Sequence, residues 1–378
     1  MNILFTVEFY YPKIGGVELW TQVLAEHFAS KGHKIYVATT YLENRETRNL
    51  NDVNILEFNI KGNRVKGIKE LTKDDIKRYK NLILKGDFDV IFQHAAQTWH
   101  TDLIFEIIEE VKAKKILIPC GYSGLSTPLR RLIYYKYFKK LPRYLHKYDL
   151  LIYHYEGYRD YKFGRKYSLN KYKIIPIGIN LNEFRKVYEN DKIKFREKYK
   201  VNSKYIILNV SNHYKVKGHY FAIKTFKRLL KQRIDVSLLI IGNPAMVTKQ
   251  SCYQACFKYS QTNDKFKIFT EVPRKDIIKA YIESDVFFLS SEIEYFPIVI
   301  LESMAANLPY VSTDVGCAGN LGKGILVHDA REAAEAIKQM LFDKELRNNI
   351  IRHNQMKIED QYEINKILKL YEKALNEL

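Results

Sequence analysis

Apolar residues along this chain follow two alternating spacings. Within Asn2–Glu8 they form a short continuous run, the mark of a strand covered on both faces. After a loop holding Gly15 and Gly16, the segment GVELWTQVLAEHFASKGH changes to helical spacing. Val17, Trp20, Leu24 and Phe28 then share a face, and Gly32 is a terminator. Further strands are expected at Lys34–Thr40, Val53–Phe58, Val90–Gln93, Lys115–Pro119, Leu150–His154 and Tyr172–Pro176, with an apolar-periodic run at Thr101–Val111. A charged segment, KVYENDKIKFREKYK at 186–200, interrupts the pattern. It restarts with strands at Tyr205–Val210, Val236–Gly242, Lys267–Phe269, Asp285–Leu289, Leu308–Thr313 and Gly324–Val327. Helical spacing occupies Gly218–Lys231, Lys275–Glu283 and Phe296–Ala306, and almost everything from Arg331 onward. In the last piece Ile364, Ile367, Leu368, Leu370, Tyr371 and Leu375 make an apolar stripe that needs a surface to pack on.

Strands alternating with helices imply right-handed β–α–β units and mainly parallel sheets. Two such runs predict two open α/β domains with a cleft between them. The expected division is 1–180, 181–360 and a terminal helix, 361–378, packing back toward the first domain. At 378 residues the chain exceeds the usual single-domain size, which agrees with that division.

Composition narrows the class. With 46% hydrophobic and 28% charged residues the chain is globular, neither disordered nor fibrous. No apolar run approaches the roughly 18–20 residues that span a bilayer, and MNILFTVEFYYP reads as a first strand rather than a signal peptide. The expected location is cytoplasmic. Four cysteines, at 120, 252, 256 and 317, make no disulfide framework and suit a reducing compartment. Cys252-x3-Cys256 has no second metal-spaced pair, so no metal site is expected.

Charge adds a surface. The net value is +19, and from Val111 to Tyr148 ten basic residues occur with no acid. Arg130, Arg131, Lys136, Lys139, Lys140 and Arg143 are interleaved there with six aromatic rings in RRLIYYKYFKKLPRYLHKY. Such a stretch fits anionic lipid headgroups or a lipid-linked acceptor, a nucleic-acid backbone, or a plain solvated face. The membrane reading places it on the inner leaflet, with no nucleic acid as partner.

Two local patterns carry chemistry. The Gly15-Gly16 loop between strand and helix allows close backbone approach to phosphate or a sugar oxygen. It lacks the G-x-G-x-x-G fingerprint, which disfavours NAD. In Ser290-Ser-Glu-Ile-Glu294-Tyr-Phe296-Pro297-Ile298-Val299-Ile-Leu-Glu302, a carboxylate sits inside an apolar helix. Ile298, Val299 and Ala306 cannot pair with Glu302, so its partner must come from elsewhere, such as a ligand hydroxyl. Paired carboxylates also occur in glycoside hydrolysis, where they face each other across a sugar.

With these pieces assembled, the chain resembles the family 4 glycosyltransferases, retaining enzymes of GT-B fold that use nucleotide sugars. PKIGGVELWTQVLAEHFASKGHKIYVATT, KIIPIGINLNEF, NVSNHYKVKGH, LLIIGN and SSEIEYFPIVILESMAANLPYVSTDVG occur in family order. The resemblance implies two Rossmann-like α/β/α domains facing across a deep cleft, acceptor first and donor second. It places Glu302 on the donor ribose and Glu294 near the transferred sugar. Lys217 and the amides of Ile298 and Val299, beside Phe296 and Pro297, would lie at the diphosphate. Gly15 and Gly16 would face the diphosphate or the acceptor. The donor is expected to be a UDP or GDP sugar, with no cofactor and no required metal.

Departures are visible too. Relatives carry an arginine where this chain has Ser211-Asn-His-Tyr-Lys215, leaving Lys215, or more weakly His213, to supply the cation. The usual glycine after Glu294 is Tyr295, and a Pro-Asn-Gly-Val-Asp turn appears as Pro176-Ile-Gly-Ile-Asn180. A histidine common in relatives is replaced by Cys120-Gly121. His94 is then a catalytic candidate, and His100 and Cys120 are candidates for the cleft. The implied activity is hexosyl transfer to a glycan or lipid-linked acceptor in polysaccharide or lipopolysaccharide assembly. A nucleotide-sugar epimerase, a nucleic-acid-binding or modifying protein, and an inactive scaffold of the same fold are the alternatives.

Overall fold

In the computed structural model of the chain, which describes residues 1–13, 15–190, 194–245 and 250–378, the continuous apolar runs become strands buried on both faces. The chain forms two units, Met1–Ile177 with Leu368–Leu378, and Gly178–Ile367.

The first unit begins β1 (Asn2–Thr6), α1 (Gly16–Ser30), β2 (Lys34–Thr40), β3 (Asn49–Leu50) and β4 (Val53–Phe58). A small hairpin, β5 (Ile60–Asn63) and β6 (Gly67–Glu70), then leads through α2 (Asp75–Lys85) to β7 (Val90–His94). After α3 (Trp99–Ile104) and β8 (Lys114–Ile118) come α4 (Pro128–Ile133), α5 (Tyr135–Leu145), β9 (Leu150–Tyr153), α6 (Arg159–Lys166) and β10 (Tyr172–Ile174). The sheet runs β10-β9-β8-β7-β1-β2-β4-β3, parallel except where β3 meets β4. The periodic run at Thr101–Val111 is helical only to Ile104 and then continues as turns, with Ile107 N donating to Ile104 O at 3.0 Å. Its apolar residues are buried, so the spacing reported burial rather than a long helix.

The second unit opens with α7 (Leu181–Asn190) and α8 (Phe195–Lys198), helices in a segment that reads as a charged interruption. Part of that segment, 191–193, lies outside the described residues. Phe184 of α7 and Phe195 of α8 are buried anchors. There follow β11 (Tyr205–Val210), α9 (His219–Lys231), β12 (Val236–Ile241), α10 (Tyr253–Ser260), β13 (Phe266–Phe269) and α11 (Arg274–Glu283). Next come β14 (Val286–Leu289), α12 (Ile298–Ala305), β15 (Tyr310–Thr313), α13 (Ala318–Leu321) and β16 (Ile325–Val327). Helices α14 (Ala330–Phe342), α15 (Lys344–Gln361) and α16 (Ile364–Asn376) end the chain. The order β13-β12-β11-β14-β15-β16 is wholly parallel and doubly wound.

The last turns of α16 belong to the first unit. Trp20 Nε1 donates to Tyr371 Oη at 3.3 Å, and the two rings meet edge-on with centroids 6.0 Å apart. His27 Nε2 lies 2.7 Å from Glu372 Oε1, which Lys31 also approaches at 3.0 Å. Among the described residues no helix is long and apolar enough to cross a membrane.

Candidate functional site

Strand order in the second unit reverses between β11 and β14, and open α/β sheets bind ligands where the carboxyl ends of such strands part. Two loops leave from that point, 211–218 after β11 and 290–297 after β14. They touch closely because of Gly218. Its φ is +67°, and a Cβ there would stand 1.9 Å from the Ser290 carbonyl oxygen, so no other residue fits. Ser290 Oγ donates to Lys217 O at 2.9 Å, and Glu292 N donates to Val216 O at 2.8 Å.

Across this seam the Lys217 ammonium reaches Glu294 Oε1 at 2.7 Å, and Ser291 Oγ donates to the same oxygen at 2.7 Å. Two residues given separate roles by the resemblance therefore form one ion pair. Lys215 is exposed on the same short turn, Lys215–Lys217. Phe296 and Pro297 are buried, and Pro297 caps α12, so Ile298 and Val299 open the helix. Amides in a first turn have no intrahelical acceptor and carry the positive end of the helix dipole.

Glu302 differs from the sequence expectation. Its partner is protein: Oε1 pairs with Arg274 Nη1, and Tyr281 donates its hydroxyl to Oε2 at 2.9 Å. Arg274 also reaches Glu183 at 3.2 Å. The carboxylate is 5% exposed, and burial followed by its charge pushes the Tyr281 phenol well up. Arg274 and Tyr281 come from α11, so helical neighbours could not reveal them.

In the first unit the strand order reverses between β1 and β7. Gly15 precedes α1 and Gly16 opens it, in the loop that follows β1; Ile14 lies outside the described residues. His94 ends β7, buried, with Nδ1 2.6 Å from Thr21 Oγ1. That hydroxyl donates to Val17 O at 2.8 Å, so His94 Nδ1–H is the donor and Nε2 keeps the lone pair. Burial, then the neighbouring His154 and His100, hold His94 well below the usual imidazole range. His94, Cys120 and His154 bring their ligating atoms within 4.8 Å of one another. The loops around them are strained: Ala95, Gln97, Cys120 and Tyr122 have φ of 77°, 64°, 57° and 43°. Such non-glycine geometry costs on the order of 1–3 kcal/mol each and gathers at functional sites. Gly121 N donates to Asp160 Oδ2 at 2.9 Å.

His100 does not join this group. It is wholly buried in α3, its Nδ1 2.9 Å from Thr6 Oγ1 and its Nε2 2.8 Å from Thr98 Oγ1. Both nitrogens are occupied inside the unit, which corrects its assignment to a ligand-facing position.

Residues 191–356 match the family model described as Glycosyl transferases group 1. The second unit is a group 1 glycosyl transferase domain. An N-acetyl-alpha-D-glucosaminyl L-malate synthase from Bacillus anthracis is 26% identical over 208 residues, 53% of either chain. The capsular polysaccharide biosynthesis glycosyltransferase CapM of Staphylococcus aureus is 27% identical over 202 residues, 51% of this chain and 52% of that one. The chain spans about half the length of the curated relatives it matches. Among solved structures, a sucrose-phosphate synthase from Thermosynechococcus elongatus superposes with a TM-score of 0.76 at 15% identity, over 100% of both chains. Anabaena HepE in complex with UDP and glucose does so with the same 0.76, 15% and 100%. The fold is therefore GT-B.

The glycosyl transferase domain also holds a cluster that spacing conceals. His213, a weak candidate for the phosphate cation, is wholly buried, away from that role. It meets His219, Cys252 and Cys256, with one ligating atom from each within 4.8 Å of the others. The fold supplies beside Cys252-x3-Cys256 a second pair that the spacing of the sequence lacks. A hydrogen bond with the Cys256 thiol, helped by the two imidazoles and opposed by burial, holds Cys252 below the usual thiol range.

The basic stretch lies in the other unit. Arg130, Arg131, Lys136, Lys139, Lys140 and Arg143 are all exposed on α4 and α5. Tyr137, Phe138, Leu141 and Leu145 are the buried side of α5. Beside the cations, Leu129, Leu132, Ile133 and Tyr135 are 56–75% exposed, an apolar content that charge counting does not show.

Proposed function

We propose that the chain is a retaining glycosyltransferase that moves a sugar from a nucleotide-diphosphate sugar to a glycan or lipid-linked acceptor in surface polysaccharide or lipopolysaccharide assembly. The observation that carries this reading is the Lys217–Glu294 pair at the strand switch point, 2.7 Å across, beside the first turn of α12. A diphosphate at that point takes the Lys217 ammonium from the carboxylate and gains the amides of Ile298 and Val299. Glu294 is then released to the hydroxyls of the sugar. Lys215, exposed on the same turn, adds a second cation.

The second unit thus binds the donor and the first supplies Gly15, Gly16, His94, Cys120 and Gly121 for the acceptor. The acceptor hydroxyl attacks the anomeric carbon on the face the diphosphate leaves. The bond from that carbon to the phosphate oxygen breaks as the new one forms, and the hydroxyl proton passes to the departing phosphate. Lys217 and the α12 amides hold the growing negative charge, which lowers the barrier without assigning a metal to the step. His94 presents Nε2 as an acceptor and orients a hydroxyl rather than donating a proton. Glu302 keeps unused lone pairs on both oxygens for a ribose hydroxyl, while its bonds to α11 fix its direction. HepE is described in complex with UDP and UDP-glucose, so uridine sugars are the first donors to test.

The exposed cations and apolar residues of α4 and α5 rest on an anionic membrane surface at the cytoplasmic face, where the lipid-linked acceptor is presented. Two measurements test the reading. Thermal shift against nucleotides and nucleotide sugars should reveal a stabilising donor. Nucleotide release should then depend on acceptor. A panel of UDP and GDP sugars without any stabilisation would refute the donor site. Release that ignores the acceptor, or interconversion of the donor alone, would refute transfer.

A further inference from the structure

The loop that carries Lys215 and Lys217 is bracketed by two histidines, His213 and His219, and both reach Cys252, which caps α10, and Cys256 within it. His219 is held in one tautomer by a chain of donors. Asn209 Nδ2 donates to Phe288 O at 2.8 Å, which turns its oxygen toward Ser211. Ser211 Oγ donates to that oxygen at 2.7 Å, so the hydroxyl has no proton left for the histidine. His219 Nε2–H is therefore the donor to Ser211 Oγ, 2.8 Å away, and the Nδ1 lone pair points into the cluster.

The separations around that lone pair are those of a coordination shell. His219 Nδ1 lies 3.2 Å from His213 Nδ1, 3.3 Å from Cys252 Sγ and 3.9 Å from Cys256 Sγ. Cys252 Sγ is 4.0 Å from His213 Nδ1. A tetrahedral ion with bonds of about 2.0–2.1 Å to nitrogen and 2.3 Å to sulfur requires ligand separations of about 3.3–3.8 Å. Hydrogen bonding accounts for the group only in part, because the one lone pair of His219 Nδ1 faces three competing donors, the His213 ring and the two thiols. Cys252 and Cys256 are both free thiols.

We infer that His213, His219, Cys252 and Cys256 form a tetrahedral N2S2 site for one divalent ion of the zinc class. Four protein ligands leave no open position, so the ion is structural. Both sulfurs bind as thiolates, and any thiol proton still present passes to solvent as its metal–sulfur bond forms. The Ser211–Asn209 chain is the outer support that keeps the imidazole in place. By joining the loop after β11 to the start of α10, the ion fixes the backbone on either side of Lys215 and Lys217. That last consequence rests on the donor-site reading; the ion itself does not.

Elemental analysis of the full chain, purified under reducing conditions without chelator, tests the site. One zinc per chain is expected, retained in Cys317→Ser and lost in Cys256→Ser. Ser211→Ala keeps all four ligands and should bind zinc about 10–100-fold more weakly. Should Cys256→Ser fail to fold, cobalt exchanged into the unaltered chain should show the visible bands of tetrahedral cobalt with a thiolate charge-transfer band. A reduced chain that holds no metal and gains no cobalt bands would overturn the site, as would full zinc retention in Cys256→Ser. Neither readout needs a donor sugar, so zinc present with no nucleotide bound would refute the transferase reading while leaving the ion intact.

Discussion

Lys217 and Glu294 hold each other where the charge of a leaving diphosphate would develop. Lys217→Ala should therefore lower kcat by about 10²–10³-fold while donor affinity changes less, measured as acceptor-dependent nucleotide release. Glu302→Ala acts differently, because it removes one of the two carboxylates on Arg274, leaving Glu183, and strands the buried Tyr281 hydroxyl. Urea unfolding should show a loss of about 1–3 kcal/mol, moderated by the partial exposure of Arg274. His100 supplies a pH signature. Burial lowers it to about 3, whereas an unfolded histidine takes its proton near 6.5. The unfolded chain thus binds more protons below 6.5, and this group withdraws stability as the pH falls through that value. His154, lowered to about 4, acts with the same sign, while Asp102, raised by burial to about 6, acts with the opposite one. His100→Asn should flatten the fall in urea midpoint between about pH 7 and pH 5; an unchanged slope would reject the assignment. At this scale Glu294, Lys217 and Gly218 were legible because they lie in contiguous motifs. Arg274, 28 positions before Glu302, and the partners of Cys252 were not, since only the fold brings them together.

Helices α4 and α5 keep their apolar anchors inside and their cations outside. Replacing Lys136, Lys139, Lys140 and Arg143 by Glu should leave thermal unfolding within about 1 kcal/mol, because all four are exposed. The same variant should lose flotation with anionic vesicles, and binding of the unaltered chain should weaken with salt. Retained flotation would remove the membrane face. Apolar strands could be read from sequence: Lys34–Thr40, Val53–Phe58 and Tyr205–Val210 are strands at those bounds. The hairpin of β5 and β6 could not, since two four-residue strands, the second of them largely exposed, carry no usable period. Helix α10 was hidden likewise, with Cys256 its only buried residue.

The first unit is assembled from two separated stretches of chain. Leu368, Tyr371 and Leu375 are buried, and each contributes on the order of 1.5–3 kcal/mol. Their sum is comparable with the whole margin of a domain, about 5–15 kcal/mol. Removing residues 368–378 should unfold or severely destabilise the first unit while the glycosyl transferase domain keeps its transition, seen by calorimetry. A single unshifted transition would contradict that dependence. The two-unit α/β architecture was legible from alternation alone, because restarting the strand–helix rhythm after 200 requires a second sheet. The discontinuity has a further consequence during synthesis. Trp20 leaves the ribosome 351 residues before Tyr371, the tyrosine that covers it. A nascent first unit must wait, with that patch open, while the second folds ahead of it, which makes this surface the natural place for a chaperone to hold.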